Sequence, residues 1–198
     1  MGNVLCTGNS RRRPKSRQEL DRWIKEYCEG NMKRGEPNDW DVTLVTEMNR
    51  LFDNTPKFNS PLDKWDMSNV TTMAGMFANA TEFNQPIGNW NTEKVTDMSA
   101  VFMGATKFNQ SLENWNTKRC TCMCRMFANS TFNQPLSHFD LSNVTETWEM
   151  FEDNVAFNQP IGSWEMGNVT DIKNMFKNAF AFNQPIGSWD TSSVRRMV

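Results

Sequence analysis

The sequence predicts an α/β repeat protein, a single solenoid of about seven coils, each about 25 residues long and built from one short helical turn and one short parallel strand. Trp40, Trp65, Trp90, Trp115, Phe139, Trp164 and Trp189 recur at spacings of 25, 25, 25, 24, 25 and 25 residues. The composition is that of one pattern copied many times, with 14 Phe, 14 Met and 8 Trp against 1 Tyr and 1 His. Elements this short cannot bury an apolar side alone, so successive coils have to stack and share a core.

Residues 1–15 read as a basic tail. Residues 1–34 carry 9 Lys or Arg against 4 Asp or Glu, and the remainder 12 against 19, so a positive head joins an acidic body. Such a head suits an anionic partner. Removal of Met1 would expose Gly2 in a context similar to N-myristoylation signals, with Cys6 where those signals favour Ser or Thr. Cys6 is also placed for palmitate, and Arg11, Arg12, Arg13, Lys15 and Arg17 follow with no acid among them. One acyl chain holds marginally, whereas a second chain or a basic cluster makes anchoring stable, so these residues predict contact with an anionic membrane surface.

Residues 16–30 read as a capping helix. Ser16 and Glu19 make a capping box, Leu20, Trp23, Ile24 and Tyr27 form one apolar stripe, and Gly30 stands where a helix would stop. Such a cap covers the first coil, whose core and strand edges would otherwise be open.

Residues 31–198 are the coils, the last incomplete. Val45, Val70, Val95, Cys120, Val144, Val169 and Val194 keep one phase, and two Phe series, Phe52 to Phe176 and Phe58 to Phe182, keep two more. Val95, Met98, Val101, Phe102 and Ala105 recur at three- and four-residue steps, which predicts a short helical turn. Phe83 to Trp90 has the wider spacing of an extended piece, limited by Pro86 and Gly88. The ladders that stacking creates are read as structural. Trp65, Trp90, Trp115, Trp164 and Trp189 form a buried column, and the amides of Asn84, Asn109, Asn133, Asn158 and Asn183 satisfy turn backbone groups. The single 24-residue step falls at Ser130 and Thr131 and predicts a local irregularity only.

The string Val-Thr-x-Met-x-x-Met-Phe-x-x-Ala-x-x-Phe-Asn-Gln-Pro-Ile-Gly-x-Trp, from Val70 to Trp90, resembles the short surface-protein repeats of about 25 residues grouped with the BspA-like relatives of leucine-rich repeats. The resemblance extends over residues 38–198. It implies a right-handed, leucine-rich-repeat-like solenoid, a role in adhesion or protein binding, and no catalytic residues.

Several tempting sites read as structural. Cys120, Cys122 and Cys124 lack the second ligand pair that zinc sites usually show, and Cys120 replaces the repeat's Val, so packing is the expected role. His138 stands where Asn89 stands in its own coil and is expected to be a surface substitution. Paired catalytic carboxylates and phosphate loops are absent, so no enzyme, cofactor or metal is expected. The acidic body disfavours nucleic acid. With no secretory signal and no apolar span, the chain is expected inside the cell, at the cytoplasmic face of a membrane or, alternatively, within a virion. The expected function is a non-catalytic scaffold that binds protein along the solenoid, with a structural protein of a virion or large complex as the alternative. The uncapped C-terminal coil invites a partner or self-association.

Overall fold

A computed structural model describes residues 12–197, so Gly2, Cys6 and Arg11 lie outside the described residues. The helical segments among them are one α-helix, α1 (Arg17–Cys28), and two 3-10 turns, Met32–Arg34 and Pro37–Asp39. From residue 41 to residue 197 the chain contains neither helix nor strand. Adjacent coils are joined instead by isolated parallel bridges that run Glu47, Thr72, Asp97, Cys122, Glu146, Asp171, Arg196, one residue per coil. The expected α/β class is thus overturned: this is not a right-handed leucine-rich-repeat-like solenoid of short strands and helical turns but a stack of coils made from reverse turns.

Residues 48–54 show why no strand forms. The N–H groups of Met48, Arg50, Phe52 and Asn54 donate across to Thr72, Ala74, Met76 and Ala78 of the next coil. Those of Leu51, Asp53 and Thr55 donate back to Met48, Arg50 and Phe52, three residues earlier. Alternate donors therefore stitch the coils together while the rest close successive turns. That alternation needs a left-handed residue in every second turn, found at Arg50 and Asn54 with φ of 53° and 55°. Extended backbone has φ near −120°, so a strand cannot continue through such positions. The three- and four-residue apolar spacing of Val95, Met98, Phe102 and Ala105 comes from the same turns rather than from a helix. Gly104 holds the equivalent position at φ 68°, and a Cβ there would lie 2.4 Å from the Asn79 Oδ1.

The core is a set of aromatic columns. Phe77 stacks on Phe83 within its coil at 4.0 Å and on Phe52 and Phe102 of the neighbouring coils at 5.2 and 5.8 Å. Trp90 stacks on Trp115 at 6.4 Å, and Trp164 on Trp189 at 6.2 Å. Each indole N–H also donates to a carbonyl of the preceding coil: Trp65 to Pro37, Trp90 to Leu62, Trp115 to Ile87, Trp164 to Leu136 and Trp189 to Ile161. Phe139 has no such donor, and the neighbouring His138 places Nε2 3.0 Å from the Leu112 carbonyl oxygen. His138 is exposed, as a surface substitution for Asn89 would be, and its ring nitrogen meets the carbonyl that an indole meets in other coils. On the outside, the Oδ1 atoms of Asn59, Asn84, Asn109, Asn133 and Asn158 accept the backbone N–H of Asn84, Asn109, Asn133, Asn158 and Asn183 in turn.

At the first coil, α1 starts at Ser16, whose Oγ accepts from the Glu19 N–H, and it buries Leu20, Trp23 and Ile24. Trp23 meets Trp40 edge-on at 5.3 Å. At the other end Phe176, Phe182, Ile186 and Trp189 are only partly buried, and Phe180 and Met197 are exposed. Where the period shortens, Ser130 and the buried Asn154 occupy an alanine position of the repeat, and the Asn154 amide donates to Ser130 Oγ and to the Phe132 carbonyl. The stack passes through the short period unbroken.

Candidate functional site

Departures from the repeat gather in the fourth and fifth coils. Cys122 stands in the bridge column with Thr72, Asp97 and Glu146, and Cys124 stands where Ala74 and Ser99 stand in earlier coils. Trp148 occupies that second column one coil on, away from the tryptophan ladder. The parallel bridge sets Cys122 beside Glu146, and the turn that follows brings the Cys124 side chain against that of Cys122.

The resulting geometry is compact. The sulfurs of Cys122 and Cys124 are 3.0 Å apart, and Cys124 Sγ lies 3.6 Å from Glu146 Oε2. One donor atom from each of these three residues falls within 4.8 Å of the others. Cys124 is buried, Cys122 half-buried and Glu146 exposed, so the cluster opens to solvent on one side. Arg125 lines the same face, its guanidinium 4.8 Å from the centre of the Trp148 ring and its Nε 2.5 Å from Glu149 Oε2.

The three thiols differ in character. Burial pushes the Cys120 thiol up to about 12, and its Sγ–H donates to the Cys122 carbonyl, so it is inert. Cys122 is lowered, first by the hydrogen bond it shares with the Cys124 thiol, which outweighs the opposing effect of burial, and then by the Cys124 N–H. Cys124 is raised, by that same shared hydrogen bond and then by burial. Of the pair, Cys122 is the one that ionises first and the one solvent reaches.

The basic residues expected to face a membrane are largely occupied. Arg12 bridges to Trp40 and donates to the Lys33 carbonyl, Arg13 pairs with Asp41 at 2.5 Å, and Arg17 donates to the carbonyls of Glu47 and Asn49. They fasten residues 12–17 to the first coil, although Arg12 and Arg13, like Lys15, remain exposed and Arg17 is half-buried. No described helix is long and apolar enough to cross a membrane.

Sequence reasoning passed over Glu146 and Trp148. The signal was present, since Glu146 follows Cys122 by the 24-residue period of that coil.

A family model described as "Mycoplasma protein of unknown function, DUF285" matches residues 22–131 and again residues 110–198. No curated protein and no solved structure matches the chain.

Proposed function

Because the chain belongs to the DUF285 family, whose description carries no activity, we propose from its surface that it is a non-catalytic scaffold binding another protein along the side of the coil stack. The carrying observation is the contrast between columns. Inside, one column reads Val45, Val70, Val95, Cys120, Val144, Val169, Val194. Along the bridge edge the column reads Glu47, Thr72, Asp97, Cys122, Glu146, Asp171, Arg196. Identical neighbours force the interior to repeat, whereas the edge varies coil by coil and carries four acids in seven positions. Asp171 is buried against Arg196, but Glu47, Asp97 and Glu146 reach the surface at intervals set by the coil spacing, and such a row suits a basic protein surface.

The same proposal sets the scaffold against an anionic membrane through acyl chains on Gly2 and Cys6. Arg13 and Arg17 are paired with Asp41 and Asp21, whereas Arg12 donates to the uncharged Lys33 carbonyl and keeps its charge, so among the described residues Arg12 and Lys15 carry most of the attraction of the cluster. Intact mass tests this part: Met1 retained with no acyl addition overturns it.

The scaffold part is tested by crosslinking the full chain in the cell that makes it. The double variant Glu47→Lys/Asp97→Lys, both on the acidic edge, is expected to lose the crosslinked partner. An undiminished yield from a folded double variant refutes docking on this edge.

A further inference from the structure

We propose that Cys122, Cys124 and Glu146 form a site for a borderline-soft divalent cation of the zinc class, which ties the fourth coil to the fifth. Two sulfurs and one carboxylate oxygen lie within 4.8 Å of one another, and they come from adjacent coils rather than from one local loop. Tetrahedral zinc, with bonds of about 2.3 Å to sulfur and about 2.0 Å to oxygen, needs S···S of about 3.8 Å and S···O of about 3.5 Å. The sulfurs at 3.0 Å have to part by under about 1 Å, the 3.6 Å from Cys124 to Glu146 already fits, and the Cys122–Glu146 pair, within 4.8 Å, has to close by up to about 1.3 Å. Both thiols would release their protons to solvent as the ion binds, and the exposed side leaves room for water as a fourth ligand.

Packing accounts for Cys120, which is fully buried in the valine column, but not for Cys122, which is half-buried at the surface where Thr72 and Asp97 serve in other coils. The same coils use Ala74 and Ser99 where Cys124 stands. Sulfur at both positions, facing a carboxylate one period on, is explained by a shared ligand. Two thiolates favour zinc over the oxygen-seeking magnesium and calcium ions. The cluster also lies beside the one shortened period, where Ser130 and Asn154 already bridge the two coils.

The test is equilibrium binding of Zn2+ to the full chain under reducing conditions, read by calorimetry and by thermal unfolding, with Mg2+ as comparison. One Zn2+ per chain is expected, with the unfolding midpoint rising by about 5–10 °C at a hundredfold excess over Kd. Glu146→Gln, at an exposed position that keeps the fold, should weaken binding at least tenfold. Cys122→Thr and Cys124→Ser, which restore residues the protein uses in other coils, should abolish it. Cys120→Val and Cys28→Ser should leave it unchanged. No Zn2+ binding, binding insensitive to Glu146→Gln, or loss of binding in Cys120→Val overturns the site, and so does an equal response to Mg2+. Because the readout needs no protein partner, its failure leaves the scaffold proposal standing, and the reverse also holds.

Discussion

At the scale of single residues, Trp115 shows how much one rung contributes. Its ring stacks on Trp90 at 6.4 Å and is tilted against Phe102 at 5.8 Å, and its N–H donates to the Ile87 carbonyl at 3.0 Å. Trp115→Ala is expected to destabilise the fold by about 3–5 kcal/mol, read as a lower urea midpoint, and a loss under about 1 kcal/mol would place the ring outside the core. His138→Ala removes the hydrogen bond that stands in for the missing indole together with the edge-on contact of the imidazole with Phe139 at 5.0 Å, and should cost about 1–2 kcal/mol. Trp115 was legible because its column keeps a fixed period. His138 was not, because its role depends on a carbonyl 26 residues earlier and on what Phe139 lacks. The cysteine cluster was half legible for a similar reason: a search for ligands nearby in sequence finds Cys122 and Cys124, but Glu146 is adjacent only once the coils are stacked.

At the scale of the element, the reverse turn replaces both helix and strand. The period and the buried face were readable from the apolar columns, but turns of three bonded residues give the same three- and four-residue spacing as a short helix. The distinguishing signal lay in another column, Asn54, Asn79, Gly104, Asn129, Asp153 and Asn178, all at positive φ. Asn, Asp and Gly tolerate that conformation best. Ala100 occupies the companion column at φ 53° with no such tolerance, so Ala100→Gly should raise stability by about 0.5–1 kcal/mol in denaturant melts. A second turn type makes the fold acid-sensitive. Asp66 and Asp140 accept the N–H groups of Ser68 and Ser142 at 2.9 Å, and hydrogen bonds from those serines hold both carboxyls below the ordinary 3.8. The stability these bonds contribute is fully present above the unfolded value of about 4; below it the unfolded chain binds more protons than the folded one, so the contribution shrinks as pH falls and is lost once pH passes below the lowered folded values. Asn91 and Asn116 fill the same turn position with no charge, accepting from Glu93 and Lys118. Asp66→Asn/Asp140→Asn should therefore flatten part of the decline in unfolding free energy between pH 4 and pH 2, and an unchanged slope would show that these carboxyls do not contribute.

At the scale of the molecule, bonds between coils join residues about one period apart, as in the bridges from Glu47 to Thr72 and on to Arg196. Each coil touches only its neighbours, so stability is close to a sum of coil and interface contributions. Removing residues 83–107, one whole period, joins Glu82 to Phe108 in the original phase and should leave a shorter protein that still unfolds cooperatively by tryptophan fluorescence. Removing about half a period puts every column out of register and should abolish that transition. The same connectivity has a mechanical side. Load applied through the two chain ends pulls on the outermost coil, whose bonds to its neighbour can part without disturbing any other pair. The molecule should behave less like a rod that snaps than like a wound tape that pays out, lengthening in steps of about 85 Å for each coil of about 25 residues released, a staircase that optical tweezers would resolve.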